Sequence, residues 1–331
     1  MSRNNLEGRH FGVIRELRNQ YDEAHSPGIP PEQLERIQAR VRELLPALMA
    51  WRERYPAIAA SRLKAATLGC VASDPGATLA QHLLISQVGL LVFAVDDLAD
   101  GEIGSLPDEA LHAVLARYAR TARAPESEMW PGTGAAEADA IGGAVQDVAL
   151  ALQALPGAGR FLPLWREHFE RMCAAHSTAL RDTRRFQHDG TLPSLEHYLD
   201  MSRWTCGAPM YHAAGLVVLG PDFAGDALQE PLLERVLSEM AWLGRWMNDV
   251  RSLARERAEG GFNSLSLLMA TGLSEAEAER LAVERAGQHL ERLKLLVGQL
   301  PESLRHWGGT LVATGHFSRM FYLQREFHHA E

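Results

Sequence analysis

The chain has 331 residues, 46% of them hydrophobic, and a net charge of −9, the composition of an ordinary globular protein. The acidic balance, without a long basic run, argues against nucleic acid as the main partner. Three cysteines, Cys70, Cys173 and Cys206, are too few and too widely spaced for a disulfide framework or a zinc site, which suits a reduced, cytoplasmic setting.

The opening, Met1-Ser2-Arg3-Asn4-Asn5, runs into charged sequence and lacks the apolar core of a signal peptide. We read 1–331 as one α-helical domain, with residues 1–32 an N-terminal segment expected to be partly disordered. Leu34, Ile37, Val41, Leu44, Leu45 and Leu48 recur at three- and four-residue spacing and predict a first amphipathic helix. The longest apolar stretch, about Leu83 to Val95, is too short to span a bilayer and carries Ser86, Gln87 and Gly89. It reads as a buried helix that ends directly at Asp96-Asp97-Leu98-Ala99-Asp100. Ile141, Val145, Val148, Leu152 and Leu155 predict a further helix. His188-Asp189, after Arg184-Arg185, reads as part of a loop and a turn rather than a hydrolase metal pair. Ser194 is a candidate cap for the helix carrying Arg203. Gly207-Ala208-Pro209 marks a kink. From Glu239 to Glu256 one helix carries a core face, Trp242, Leu243, Trp246 and Val250, and a polar stripe. Ser274-Glu275-Ala276-Glu277 looks like a capping box. Breakers at Ser26-Pro27-Gly28, Trp130-Pro131-Gly132, Leu155-Pro156-Gly157, Gly220-Pro221 and Gly260-Gly261 separate these segments. With no convincing alternating strand pattern and no repeat, an all-α bundle is the economical fold.

Two clusters carry chemistry. Asp96, Asp97 and Asp100 repel one another, so without a cation the cluster costs free energy; its bland alternative is a solvated acidic helix end. Asn248, Ser252 and Glu256 stand i, i+4, i+8, one turn apart on one helix face. They offer an amide carbonyl, a hydroxyl and a carboxylate, oxygens of the kind that Mg²⁺ takes. Their bland alternative is a polar face held by Arg–Glu pairs. Two oxygen clusters on different helices suit several metal ions between them, and a diphosphate is the natural ligand for such an arrangement. The basic residues are almost all arginine, with Lys64 and Lys294 the only lysines, and arginine suits multidentate phosphate contacts.

Asp96-Asp97-x-x-Asp100 and Asn248-Asp249-x-x-Ser252-x-x-x-Glu256 resemble the two metal motifs of bacterial class I terpene synthases, from about residue 60 onward. The resemblance implies a helical bundle around an apolar cavity, with the two motifs facing each other across its mouth. Three Mg²⁺ ions would hold the diphosphate of a prenyl substrate, with Asp96, Asp97, Asp100, Asn248, Ser252 and Glu256 as metal ligands. Arg203 resembles the family's diphosphate sensor, Cys206 its linker and Gly207 its effector carbonyl; cysteine departs from the commoner aspartate. Arg255 resembles a basic diphosphate contact. Arg319 and Tyr322 stand in for an adjacent Arg-Tyr pair that this chain lacks. Phe93 resembles a cavity position that stabilises a passing carbocation; Trp204, Tyr211, Trp242, Trp246 and Phe321 are weaker aromatic candidates. The missing pair and the unfamiliar opening tilt the expected substrate toward C20, linear or precyclised, with farnesyl diphosphate the alternative. A homodimer is common in the family.

A chain-elongating prenyltransferase is disfavoured, because the second motif is the Asn-Ser-Glu type rather than a second aspartate motif. A class II cyclase lacks support, since no DxDD string occurs. A non-catalytic helical binding protein is the rival from another class.

Overall fold

The computed structural model describes residues 31–63, 66, 67, 74, 76–127, 130, 132–220 and 230–324. Cys70, Lys64, the first 30 residues and the side chain of Phe321 lie outside that description. Among the described residues the regular structure is helical throughout: α1 (Pro31–Arg54), α2 (Leu79–Ala99), α3 (Asp108–Arg123), α4 (Ala136–Gln153), α5 (Ala158–Asp189), α6 (Leu195–Thr205), α7 (Ala208–Leu219), α8 (Glu230–Ala258), α9 (Ser264–Ala270), α10 (Glu275–Val297), a 3₁₀ turn (Glu302–Leu304) and α11 (Arg305–Gln324).

The helix ends follow from local chemistry. Thr78 opens α2 with a reciprocal capping box to Gln81, and Ser274 opens α10 in the same way with Glu277. Ser194 accepts the His197 amide at the start of α6. His188 and Asp189 are the last turn of α5, not a loop. Gly190, at φ 74, ends that helix in the left-handed region that glycine enters without penalty.

Helix α2 is the central core element. It runs 21 residues, longer than its apolar stretch suggests, and passes the length and hydropathy test for a membrane span. Burial, not length, is what argues against that role. Val88, Leu90, Leu91 and Val95 are fully enclosed, and the helix packs on α1, α4, α5 and α7. The main core gathers α1–α5, α7 and the first half of α8. A second, smaller core forms where Trp246, Met247, Val250 and Leu253 of α8 meet Leu265, Leu268, Ala278, Ala282, Val283, Ala286 and Tyr322. That second core fixes the rotation of the C-terminal half of α8, and so the direction in which its polar stripe points.

Gly207 separates α6 from α7. Its φ is 66, and a Cβ there would come within 2.3 Å of Val92 Cγ1. Both the backbone conformation and the close approach to α2 require glycine. Pro209 then sits in the first turn of α7, where its missing N–H costs nothing.

Candidate metal and diphosphate site

The C-terminal end of α2 and the C-terminal half of α8 border one cleft of about 330 Å³. Asp96, Asp100, Arg245, Arg255 and Glu256 line it, with Tyr198, Ser202 and Thr205 of α6 and His176 of α5. The two sequence clusters, about 150 residues apart, therefore meet in space. Next to the cleft lies an apolar cavity of about 150 Å³, lined by Val92, Phe93, Cys206, Gly207, Tyr211, His212, Met240, Phe317 and Tyr322, among others. Cleft and cavity take adjacent residues from the same elements: Phe93 and Asp96 on α2, Cys206 and Thr205 at the α6–α7 break, Gly244 and Arg245 on α8.

Within each motif the residues divide into two kinds. Asp97 is buried and turned away from the cleft. Its carboxylate accepts from the buried guanidinium of Arg62 at 2.5 Å. This departs from the expectation that all three aspartates are ligands: Asp96 and Asp100 line the cleft, while Asp97 positions α2. Asp249, the second residue of the other motif, repeats the pattern. It is wholly buried, accepts from Arg245 Nε at 2.6 Å and from the Tyr198 hydroxyl at 3.1 Å, and takes the Ser264 amide at 3.1 Å. Asn263 donates to the Asp249 backbone carbonyl at 3.0 Å while its own carbonyl caps α9. The Gly261-Phe262-Asn263 segment thus ties α9 to α8 beneath the stripe.

Of the remaining stripe residues Glu256 lines the cleft, and Asn248 and Ser252 stand on the same face of α8 in the two turns before it. Asn248 accepts from Arg245 and donates to the Tyr322 hydroxyl at 3.4 Å. Ser252 Oγ and Glu256 Oε2 are buried, with no hydrogen-bond partner beyond the approach of these two side chains to each other. Burial, then the neighbouring Asp249 charge, pushes the Glu256 carboxyl up to about 7. Burial and Asp97 do the same to Asp96, also to about 7. Orphaned oxygens and carboxylates that resist ionisation both mark a place where positive charge is owed. Among the described residues no three His, Cys, Asp or Glu side chains converge on one point. The carboxylates on the cleft, Asp96, Asp100 and Glu256, are oxygens of the kind that Mg²⁺ takes one or two at a time, completing its shell with water and substrate phosphate oxygens. The donor set fits the metal.

Arg245 is the site residue that sequence reading missed. It holds Asn248 and Asp249, lies 4.0 Å from Glu256 and lines the cleft. Its spacing, three before Asn248, was visible, but an arginine in a helix is ordinarily solvated surface. Arg255 lies on the cleft wall and pairs with Glu259 at 3.0 Å.

Other expectations need revision. Arg203 does not border the cleft. It donates to Ser238 at 3.4 Å, pairs with Asp200 at 2.8 Å and lies over the rings of Trp204 and Trp242. Ser238 is ten residues before Asn248, about 15 Å along the helix, so the sensor role is not formed here. The Cys206 thiol donates to the Arg203 carbonyl at 3.0 Å and does not link the guanidinium to Gly207. The Gly207 carbonyl already accepts the Tyr211 amide at 2.9 Å, closing the first turn of α7. Arg319 and Tyr322 part company: Arg319 approaches Gly287 of α10, whereas Tyr322 reaches Asn248. Of the aromatic candidates, Phe93 and Tyr211 line the cavity. Trp246 is core, and Trp204 and Trp242 stack against Arg203.

Helical bundle, paired acidic motifs and apolar cavity define a terpene synthase architecture, and comparison agrees. The model of terpene synthase family 2, C-terminal metal binding, matches residues 87–292, more than half of the chain, which therefore belongs to that family. A linalool/nerolidol synthase from Streptomyces clavuligerus has a similar fold, with a TM-score of 0.67, 17% identity, and 90% of this chain and 99% of that one covered. Grey poplar (Populus x canescens) isoprene synthase, solved with three Mg²⁺ ions and dimethylallyl-S-thiolodiphosphate, aligns with a TM-score of 0.66 and 16% identity over 86% of this chain and 55% of that one. The chloroplastic cis-abienol synthase of Nicotiana tabacum is 32% identical over 116 residues, 34% of this chain and 15% of that relative's length.

Proposed function

We propose that this chain is a Mg²⁺-dependent class I terpene synthase that ionises a prenyl diphosphate and cyclises or rearranges the resulting carbocation. One observation carries the reading: Glu256, whose buried Oε2 lacks a hydrogen-bond partner, shares a cleft with Asp96, Asp100, Arg245 and Arg255, and that cleft adjoins an apolar cavity. Asp96, Asp100, Asn248, Ser252 and Glu256 would hold the metal, three ions being the number we propose. When bound, Mg²⁺ would neutralise charge on the departing diphosphate.

The chain's own residues supply the rest. Arg245 and Arg255 bring fixed positive charge to where the diphosphate gathers negative charge. Asp249, Tyr198 and Asn263 hold Arg245 and the stripe in register, so little reorganisation is needed at ionisation. The hydrocarbon tail lies toward Phe93, Tyr211 and Tyr322, where water is excluded and ring faces attract a passing cation.

The sequence leans toward a C20 substrate, and the cavity weighs the other way. An apolar protein cavity of about 150 Å³ takes a ligand of benzene's size. A C15 or a C20 chain alike needs side chains to move or must extend into the cleft, and the shorter farnesyl diphosphate asks for less of either. Incubation with geranyl, farnesyl and geranylgeranyl diphosphates, with product analysis by gas chromatography–mass spectrometry, tests the reading. Magnesium-dependent hydrocarbon or alcohol products are expected. Condensation with isopentenyl diphosphate in their place would mark a chain-elongating enzyme.

The acidic chain and the enclosure of α2 support action without nucleic acid and without stable membrane insertion, and the cytoplasm is the compartment we propose. The homodimer rests on the family resemblance and is read by sedimentation.

A further inference from the structure

Helix α7 presents one continuous face to two cavities. Ala208, Tyr211 and His212 line the apolar cavity; Tyr211, His212, Gly215 and Leu219 line a second, smaller one of about 30 Å³. These positions recur at i, i+3, i+4, i+7 and i+11, so they share a face. His212, Tyr211 and Thr314 form the boundary between the two spaces. The smaller space has the more polar lining of the two. Asp74, Gln81, His82 and Thr310 border it, and 30 Å³ holds about one water molecule. Asp74 then leads outward. Its carboxylate meets His306 Nε2 at 2.9 Å, and His306 is exposed. Its backbone carbonyl meets His82 Nε2 at 2.7 Å. Among the described residues, the small cavity thus lies between the wall of the apolar cavity and Asp74, which meets exposed His306.

The other polar side chains on the apolar cavity are hydroxyls of Tyr211, Thr314, Ser318 and Tyr322, and the thiol of Cys206. In their neutral forms these are feeble bases. His212 is the described lining residue whose neutral form accepts a proton readily.

We propose that His212 is the base that ends the carbocation cascade, and that the proton leaves through the small cavity, Asp74 and His306. The inference rests on the terpene synthase reading above. In the step, a C–H bond beside the cationic carbon breaks and its electron pair becomes the new C=C bond. The proton passes to the imidazole, giving an imidazolium, so charge is conserved. The imidazolium then releases the proton to the small cavity and on to solvent, and His212 returns to neutral. Burial holds the imidazole far below its ordinary value, at about 3, so the resting side chain is uncharged. A carbocation is acidic enough to protonate even so weak a base, and so poor a holder of the proton passes it on.

The bland alternative is a core histidine, buried and in edge contact with Tyr211, that only fills space. The test uses the full chain with Mg²⁺ and whichever linear prenyl diphosphate the wild type consumes. Diphosphate release and olefin formation are measured together. In His212→Gln the yield of the main olefin per diphosphate released is expected to fall about 10²-fold, replaced by other olefins or alcohols. An unchanged product ratio overturns the proposal, as does a wild-type product that is solely an alcohol. If His212→Gln loses its cooperative melting transition, Asp74→Asn carries the test: the same shift supports the relay, and an unchanged ratio overturns it. Wild-type protein that releases no diphosphate from any linear or precyclised substrate removes the terpene synthase reading itself, and the proposal with it. A normal wild type with an unmoved His212→Gln ratio removes only the role of His212.

Discussion

Asp96 and Asp97 are neighbours in sequence and opposites in environment. Asp96 borders the cleft, and Asp97 is locked to Arg62 in the interior. Asn248 and Asp249 share one arginine: Arg245 donates to both, and Asp249 is the wholly buried one. The motifs were legible because ligand spacing is local: i, i+3 and i+4 on α2, i, i+4 and i+8 on α8. The division was not legible, because it depends on which residue of each pair is buried against an arginine distant in sequence or buried by tertiary packing. It predicts distinct outcomes for adjacent substitutions. Asp96→Ala is expected to abolish product formation while leaving the melting transition in place. Asp97→Ala or Asp249→Ala takes from a buried arginine its closest carboxylate, leaving Arg62 with Glu102 at 3.6 Å and Arg245 with Glu256 at 4.0 Å, and removing one partner of such a pair costs about 3–5 kcal/mol. Chemical denaturation separates the two; an Asp97→Ala protein of wild-type stability would return that residue to the metal ligands. Arg245→Ala is expected to lose both stability and turnover, whereas Arg203→Ala retains most of its turnover. Steady-state kinetics on the pair of variants decides which arginine meets the diphosphate.

At the scale of elements, α8 and the α6–α7 break carry the site. The amphipathic pattern of Glu239–Glu256 already indicated a helix with a core face and a polar stripe, and the helix is longer than that pattern at its N-terminal end. The second core around Trp246 and Val250 sets its rotation, and that core uses α9, α10 and Tyr322, which no local pattern ties to α8. The break at Gly207-Ala208-Pro209 was equally plain in sequence, but the sensor, linker and effector roles laid on it require side-chain directions that spacing does not fix. What the break does is bring backbone against Val92. Gly207→Ala places a Cβ in a left-handed conformation and 2.3 Å from Val92 Cγ1. Strained backbone and overpacking each cost about 1–3 kcal/mol, so a loss of more than about 2 kcal/mol is expected. Adding Val92→Ala should recover the overpacking part and leave the strain. Thermal denaturation of single and double variants measures both, and full recovery in the double variant would show that the left-handed conformation itself carries no penalty.

For the whole molecule, the interior is built around neutral histidines and unbalanced carboxylates, and these make stability depend on conditions. His176, buried on the cleft wall, is held down to about 4, by desolvation first and the Arg245 charge second. Its folded value lies below its unfolded value of about 6.5. The unfolded chain therefore takes up a proton before the folded chain does. Stability from this group is complete above pH 6.5 and falls as pH drops from there toward 4. Comparison with His176→Leu isolates it, since the other titrating groups cancel in the difference. The variant should gain on wild type by up to a few kcal/mol between pH 6.5 and 4, with a constant difference above that window; a difference that stays flat across the range would mean that His176 is solvated. The cleft gives the complementary prediction. Asp96 and Glu256 resist ionisation in the metal-free protein, so a cation relieves that cost, and a diphosphate that completes the cation's shell and meets Arg245 and Arg255 binds with it. A ligand at 100 times its Kd stabilises by about 2.7 kcal/mol, which is a rise of a few degrees in Tm for a chain of this size. Mg²⁺ with inorganic diphosphate should produce that rise in wild type, and Mg²⁺ alone or diphosphate with chelator much less. Glu256→Gln should remove the joint effect while keeping the helix intact by circular dichroism. A joint rise that survives in Glu256→Gln would move the metal away from α8.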